Sequence, residues 1–115
     1  MTRAVLDPVT RYAQVLSAMG TEPRLRIMHL LLSAHPGGLV VGEIQDELSI
    51  AGSTLSHHLE KLRNEALVNV RREGTFLRYS ANSEALKALL GFLYTECCSH
   101  RAVEPEAITR LCKRC

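Results

Sequence analysis

Gly52-Ser53-Thr54-Leu55-Ser56-His57-His58-Leu59-Glu60-Lys61-Leu62 is the stretch whose reading decides the fold. Leu55, Leu59 and Leu62 stand at i, i+4 and i+7, which makes one apolar stripe on a short helix. Ser53, Thr54, Ser56, His57 and Lys61 lie off that stripe and gather toward the helix start. Small hydrogen-bonding and cationic side chains opposite a buried stripe suit a helix that enters a DNA major groove. An ordinary surface helix with a serine cap carries the same stripe, so the flanking sequence has to decide. His58 sits nearer the stripe and is expected to pack, which leaves His57 outward.

Upstream, Val41, Ile44 and Leu48 are spaced for a short helix, and Ser49-Ile50-Ala51-Gly52 reads as a tight turn. Two short helices joined this way, the second polar on its outer face, make a helix-turn-helix. Downstream, Leu67-Val68-Asn69-Val70-Arg71-Arg72 and Thr75-Phe76-Leu77-Arg78-Tyr79-Ser80 alternate apolar and polar residues around Glu73-Gly74. That is a β-hairpin with glycine at the reversal. Arg71, Arg72 and Arg78 crowd its arms. Such charges can merely keep a hairpin edge from pairing. Directly after a helix-turn-helix they read better as a wing that clamps phosphates or reaches the minor groove.

The remaining elements extend this plan. Val9, Tyr12, Ala13, Leu16 and Met19 predict a first amphipathic helix that ends near Gly20. Thr21 is placed to cap a second helix, with Pro23 in its first turn. Leu25 to Leu32 is apolar nearly all round and reads as the central buried helix, with His29 inside it as a packed or partly exposed residue rather than a ligand. His35-Pro36-Gly37-Gly38 breaks that helix. Ser83 is placed to cap a last helix that carries Leu86, Leu89, Leu90, Leu93 and Tyr94. The first and last helices together have more apolar surface than one small core needs, so they are assigned to a homodimer interface. A two-fold dimer would set two recognition helices in successive major grooves of an inverted repeat in double-stranded DNA. The expected fold is therefore mainly α with a β-hairpin: a winged helix-turn-helix in the order α-α-α-α-β-β-α.

Composition fits one folded domain. The chain has 115 residues, 46% of them hydrophobic, with no Trp. It contains no run of about 18 apolar residues that could span a membrane. Met1 to Pro8 lacks the apolar core of a secretory signal, so a cytoplasmic location is expected. Net charge is only +2, so nucleic-acid affinity must come from a local patch. No phosphate loop, paired acid and base, or nucleophile elbow is present, and no enzyme activity is expected.

Residues 1–96 form the expected DNA-binding and dimerisation domain, and residues 97–115 a cysteine-rich sensing tail. All four cysteines, Cys97, Cys98, Cys112 and Cys115, lie in that tail. In a reducing compartment such a cluster favours metal or redox chemistry over a structural disulfide. Adjacent cysteines in a helix point about 100° apart, so both can face one ion only where the chain unwinds, as at a helix end. Three thiolates suit a pyramidal trivalent arsenic or antimony centre, and four suit tetrahedral zinc or cadmium. Arg101, Lys113 and Arg114 favour thiolate formation, whereas the negative end of the helix dipole opposes it. His100 is taken as a bystander. The same four thiols could instead form a redox switch. A thiol reductase is disfavoured because Cys112-x-x-Cys115 does not precede a helix of a βαβ unit.

The chain resembles the ArsR/SmtB family of metal-responsive repressors. The resemblance is carried by Thr21-Glu22-Pro23-Arg24-Leu25-Arg26-Ile27, by Ser53 through Arg63, by Leu67-Val68, and by Arg72-Glu73-Gly74 through Arg78-Tyr79. It covers roughly residues 9 to 94. It implies a dimeric winged-helix repressor whose metal-free form binds an operator and whose metal-bound form releases it, with no cofactor in the DNA-bound form. One departure is Ala66, where relatives often carry Gly, the residue that favours a left-handed helix end. The family's Cys-x-Cys arsenic site would fall at Val40 and Gly42 and is absent. Its zinc site on the last helix needs Asp and His, which Leu86 to Tyr94 does not offer. Some arsenic-responsive members have an adjacent Cys pair at the end of the last helix plus a further Cys downstream. Cys97 and Cys98 match that pair. The third ligand is then Cys112 or Cys115, and As(III) is the implied inducer.

Overall fold

The structure, a computed structural model, describes residues 7–97. Five helices and a small sheet follow one another as α1 (Pro8–Met19), α2 (Glu22–Ser33), β1 (Leu39–Val40), α3 (Val41–Leu48), α4 (Gly52–Asn64), β2 (Val68–Glu73), β3 (Phe76–Ala81) and α5 (Ser83–Cys97). This is the expected winged helix-turn-helix with one addition. The two residues of β1 pair with β3, Leu39 opposite Tyr79, so the sheet has three antiparallel strands in the order β1-β3-β2. The third strand pins the wing to the connection between α2 and α3. Gly38 makes this possible: its φ is 77°, and a Cβ there would lie 2.2 Å from the Tyr79 carbonyl oxygen.

The core is aliphatic. Ile27, Met28 and Leu31 of α2 meet Ile44 of α3, Leu55, Leu59 and Leu62 of α4, and Leu67 just beyond it, all fully buried. Each such side chain contributes about 1.5–3 kcal/mol through removal from water. Helix starts are fixed locally. The Asp7 carboxylate accepts the Thr10 N–H at 3.0 Å, and the Thr21 hydroxyl accepts the Arg24 N–H at 3.4 Å. At α5 the cap is Asn82 rather than Ser83, and its side-chain oxygen accepts the Ala85 N–H at 3.2 Å. Asn82 also donates to the Ala66 carbonyl at 2.8 Å, so the same side chain ties α5 to the end of α4.

Two expectations about helix faces are corrected. In α1 the buried residues are Val15 and Ala18, while Val9 is 68% exposed and Leu16 is also exposed. The stripe read from sequence is mostly the outer one. Tyr12, half-buried between the two faces, stacks on Phe92 of α5 with ring centroids 4.5 Å apart. In α2 burial is one-sided rather than all round, because Leu25 and His29 face outward. Leu93 and Tyr94 of α5 are exposed as well. No helix among the described residues is long and apolar enough to cross a membrane.

Candidate nucleic-acid interface

Helix α4 is held from beneath and open above. Its three leucines anchor it in the core, and a short turn from α3 leads into it. The Val40 N–H donates to the Glu43 carboxylate at 3.0 Å where α3 begins. Ser49 then turns the chain in a left-handed conformation, φ 54°, with its N–H donating to the Gln45 carbonyl at 2.8 Å. The left-handed residue of the turn is thus Ser49, and Gly52 is already helical. Gly52 serves a different need: a Cβ there would stand 3.1 Å from Nε2 of Gln45, so its absence lets α4 start close against α3.

Ser53, Thr54, Ser56, His57 and Lys61 are all exposed. The three hydroxyls have no hydrogen-bond partner among the described residues. Ala51 supplies no side-chain cap to the helix start. The outer face of α4 therefore presents polar groups with no partner to give up. His57 points to solvent, whereas His58 is half-buried with its Nδ1 buried and unpartnered. Burial, then the positive charge of Arg24 and the neighbouring His57, lower the His58 pKa below its ordinary value of 6.5. Arg24 itself donates from Nε to the Ala18 carbonyl, and it lines a polar hollow with Lys61 and Asn64.

Helix α4 ends in a motif that closes the chain onto the wing. The Leu67 N–H donates to the Leu62 carbonyl at 3.0 Å and the Ala66 N–H to that of Arg63 at 2.9 Å. Ala66 has a φ of 57°, so the left-handed end forms without glycine. The hairpin reverses through Gly74-Thr75, one residue later than expected, with Glu73 opposite Phe76. Gly74 has a φ of 63° at the first central position of this two-residue loop, which glycine accepts without strain.

The wing arginines differ among themselves. Arg71 and Arg78 are cross-strand partners. Both reach Glu73: Arg71 donates from Nε and Nη2 to one carboxylate oxygen at 3.0 and 2.7 Å, and Arg78 donates from Nε to the other at 2.9 Å. Arg78 also donates to the Gly38 carbonyl at 3.1 Å. Arg72 has no carboxylate partner among the described residues, and its Nε donates to the Gly74 carbonyl at 3.4 Å. The two guanidinium groups hold the Glu73 carboxyl below the usual carboxylate range, Arg78 more than Arg71. Sequence reading took the arginines and passed over Glu73. The signal was available, since residues two apart on a strand share a face and so bring Arg71 beside Glu73.

The four cysteines expected to hold a metal lie at and beyond the end of the described residues. Cys97 is the last described residue of α5, and its side chain is not described. Cys98, Cys112 and Cys115 lie outside the described residues. Among the described residues, no group of three or more His, Cys, Asp or Glu is arranged to hold a metal ion.

A recognition helix seated on a helix-turn-helix, followed by an arginine-bearing wing, defines a winged-helix DNA-binding protein. Residues 21–70 match the bacterial regulatory protein, arsR family. The chain is 38% identical over 84 residues to the transcriptional activator HlyU of Vibrio cholerae, covering 73% of this chain and 75% of that one. The solved HlyU structure superposes with a TM-score of 0.63 at 34% identity, covering 85% of this chain and 99% of HlyU. Reduced HlyU gives the same TM-score at 36% identity, with 78% and 92% covered. The homodimeric winged helix-turn-helix domain Mb0332 of Mycobacterium bovis, solved by NMR, gives 0.62 at 28% identity, with 80% and 82% covered. Two relatives at 31% identity are a cadmium resistance regulatory protein CadC homologue of Staphylococcus aureus (68% and 63% covered) and a putative arsenical resistance operon repressor of Halobacterium salinarum (73% and 69% covered). The chain belongs to the ArsR family and is a DNA-binding transcriptional regulator.

Proposed function

We propose that this chain is a homodimeric repressor that leaves an inverted-repeat operator when trivalent arsenic binds the thiolates of Cys97, Cys98 and either Cys112 or Cys115. The observation that carries the reading is the position of Cys97. It ends the described part of α5, one helical turn beyond the exposed Leu93 and Tyr94. Together with Val9 and Leu16 of α1, these side chains are the apolar surface offered to a second copy. The homodimeric neighbour from Mycobacterium bovis supports that pairing, and the arsenical-resistance relative supports the inducer.

Gathering three sulfurs at the foot of α5 acts directly beside the dimer surface, and so on the spacing of the two α4 helices. The inducer must favour the form that does not fit DNA. Moving a repressor from almost fully bound to almost fully released takes about 5.5 kcal/mol of differential affinity. By reciprocity, DNA then weakens arsenic binding by the same factor. Ser53, Thr54, Ser56 and His57 read base edges or adjacent phosphates, and Lys61, Arg71, Arg72 and Arg78 attract the backbone. The DNA-bound form needs no cofactor, and the chain works by binding in the cytoplasm rather than by turnover. Conversion of arsenate or disulfide substrates by the purified protein would overturn that last statement.

Arsenite and antimonite titrated onto operator-bound protein test the proposal, with single Cys→Ser variants identifying the third sulfur. Unchanged DNA affinity at saturating arsenite would sink it. A second reading keeps the fold and changes the input to thiol oxidation or to cadmium, lead or zinc held by four sulfurs. The cadmium-resistance relative favours it. Thiol counts before and after mild peroxide, together with bound-metal analysis, separate the two.

A further inference from the structure

We propose that Glu73 is an internal competitor for the DNA backbone: its carboxylate occupies the wing arginines in the free protein and so limits how strongly the wing draws duplex DNA of any sequence. The inference rests on the reading of the wing as a backbone contact. Arg71, Glu73 and Arg78 lie together on one face of the hairpin, with Glu73 receiving hydrogen bonds from both guanidinium groups. The local charge of the trio is therefore +1 where two arginines alone would give +2. A carboxylate and a phosphate both accept a guanidinium through anionic oxygens, so a phosphate can take the place that Glu73 fills.

The two arginines are held differently. The Arg78 side chain is 28% exposed and is fixed a second time by the Gly38 carbonyl. The Arg71 side chain is 69% exposed, and Glu73 is its one hydrogen-bond acceptor among the described residues. Arg71 is thus the arm that exchanges and Arg78 the one that stays. Exposed ion pairs are close to balanced in water, so the exchange has a low threshold and is decided by the field of the DNA. The gain from removing the competitor is independent of base sequence, because backbone contacts carry no sequence information directly. Glu73 thereby keeps the non-specific background low, against which α4 discriminates.

The test measures binding to random-sequence duplex DNA by fluorescence anisotropy over a salt titration. Glu73→Gln, close in shape and without the charge, binds about three- to tenfold tighter and steepens the salt slope by about 0.9, the equivalent of one further phosphate neutralised. Glu73→Asp keeps the charge and the wild-type slope; a steeper slope for this variant would overturn the charge argument. Arg71→Gln weakens binding, and in that background the gain from Glu73→Gln shrinks, since Arg71 is the arm that exchanges and only the Arg78 pair is left. If Arg71→Gln weakens binding but Glu73→Gln leaves it equal or weaker, Glu73 holds the arginine ready instead of competing, and the proposal fails. If Arg71→Gln and Arg72→Gln both leave affinity untouched, the wing reading itself fails.

Discussion

Helix α4 and the wing face the same ligand in opposite states of readiness. The hydroxyls of Ser53, Thr54 and Ser56 have no partner among the described residues and, on the proposed reading, would exchange only water for DNA. Two of the three wing arginines are already engaged by Glu73, and on the proposal above Arg71 must trade a carboxylate for a phosphate. Beneath, the order reverses. α4 rests on three fully buried leucines, whereas the wing tip carries exposed Phe76 and Leu77. On the proposed reading the lesson is a division of labour: a rigid reader whose contribution depends on base sequence, and a compensated clamp whose contribution depends on salt.

The most damaging way to break this contrast is to remove the footing of the reader. Leu59→Ala deletes a fully buried side chain and leaves a cavity, at a cost of about 2–5 kcal/mol out of the 5–15 typical of a domain. Urea unfolding will show the loss, and DNA binding will fall with the folded fraction. A subtler break separates the two surfaces. His57→Ala is expected to cost about 1–3 kcal/mol at the preferred base and to relax specificity there. Arg72→Gln instead weakens binding to all sequences alike and lowers the salt slope by about one. Competition binding with operator and scrambled duplexes checks both. An unaltered operator affinity and specificity in His57→Ala would mean that α4 does not lie in the groove as proposed.

The contrast was only half legible in the sequence. The α4 stripe announces itself because three leucines repeat at helical spacing, and the hairpin because alternation brackets a glycine. Strand β1 was invisible: Leu39-Val40 is too short to show a period, and its partner Tyr79 is distant in the chain. In α1 the stripe was real but belonged mostly to the outer face, since apolar periodicity does not distinguish a core from a surface that awaits a partner. Asn82 is illegible because its partner, the Ala66 carbonyl, is brought near only by folding, and Glu73 is half legible: Arg71 stands two residues away on its strand, but Arg78 arrives from the facing one.

A smaller test sharpens the junction between the two regions. Ala66 carries a Cβ in a left-handed conformation, which costs roughly 1–2 kcal/mol. Glycine removes that strain but adds about 0.4–1 kcal/mol of unfolded-state entropy. Ala66→Gly should therefore stabilise the fold by about 0.5–1 kcal/mol, read as a raised urea midpoint with unchanged slope. The flanking bonds from Leu67 to Leu62 and from Ala66 to Arg63 do not depend on the methyl group. DNA affinity should stay at the wild-type level, because the methyl group belongs to neither surface. A destabilised variant would mean that the Ala66 side chain contributes packing that its exposure does not suggest.

The smallest expected effect is one of pH, and it touches the two regions unequally. Burial beside Arg24 and His57 lowers the His58 pKa below 6.5, so the folded state favours the neutral ring. The unfolded chain takes up its proton near the ordinary value. As pH falls through 6.5 the unfolded state binds more protons, and stability present on the alkaline side is lost toward the lower folded pKa. Glu73 does not titrate in that window, because Arg78 and Arg71 hold its carboxyl below the usual carboxylate range. Mild acid should therefore loosen the footing of α4 while the wing keeps its charge. Urea midpoints measured on both sides of pH 6.5 should separate for the wild type and move closer together in His58→Gln. Parallel profiles for the two proteins would show that His58 is not shielded by the contacts described.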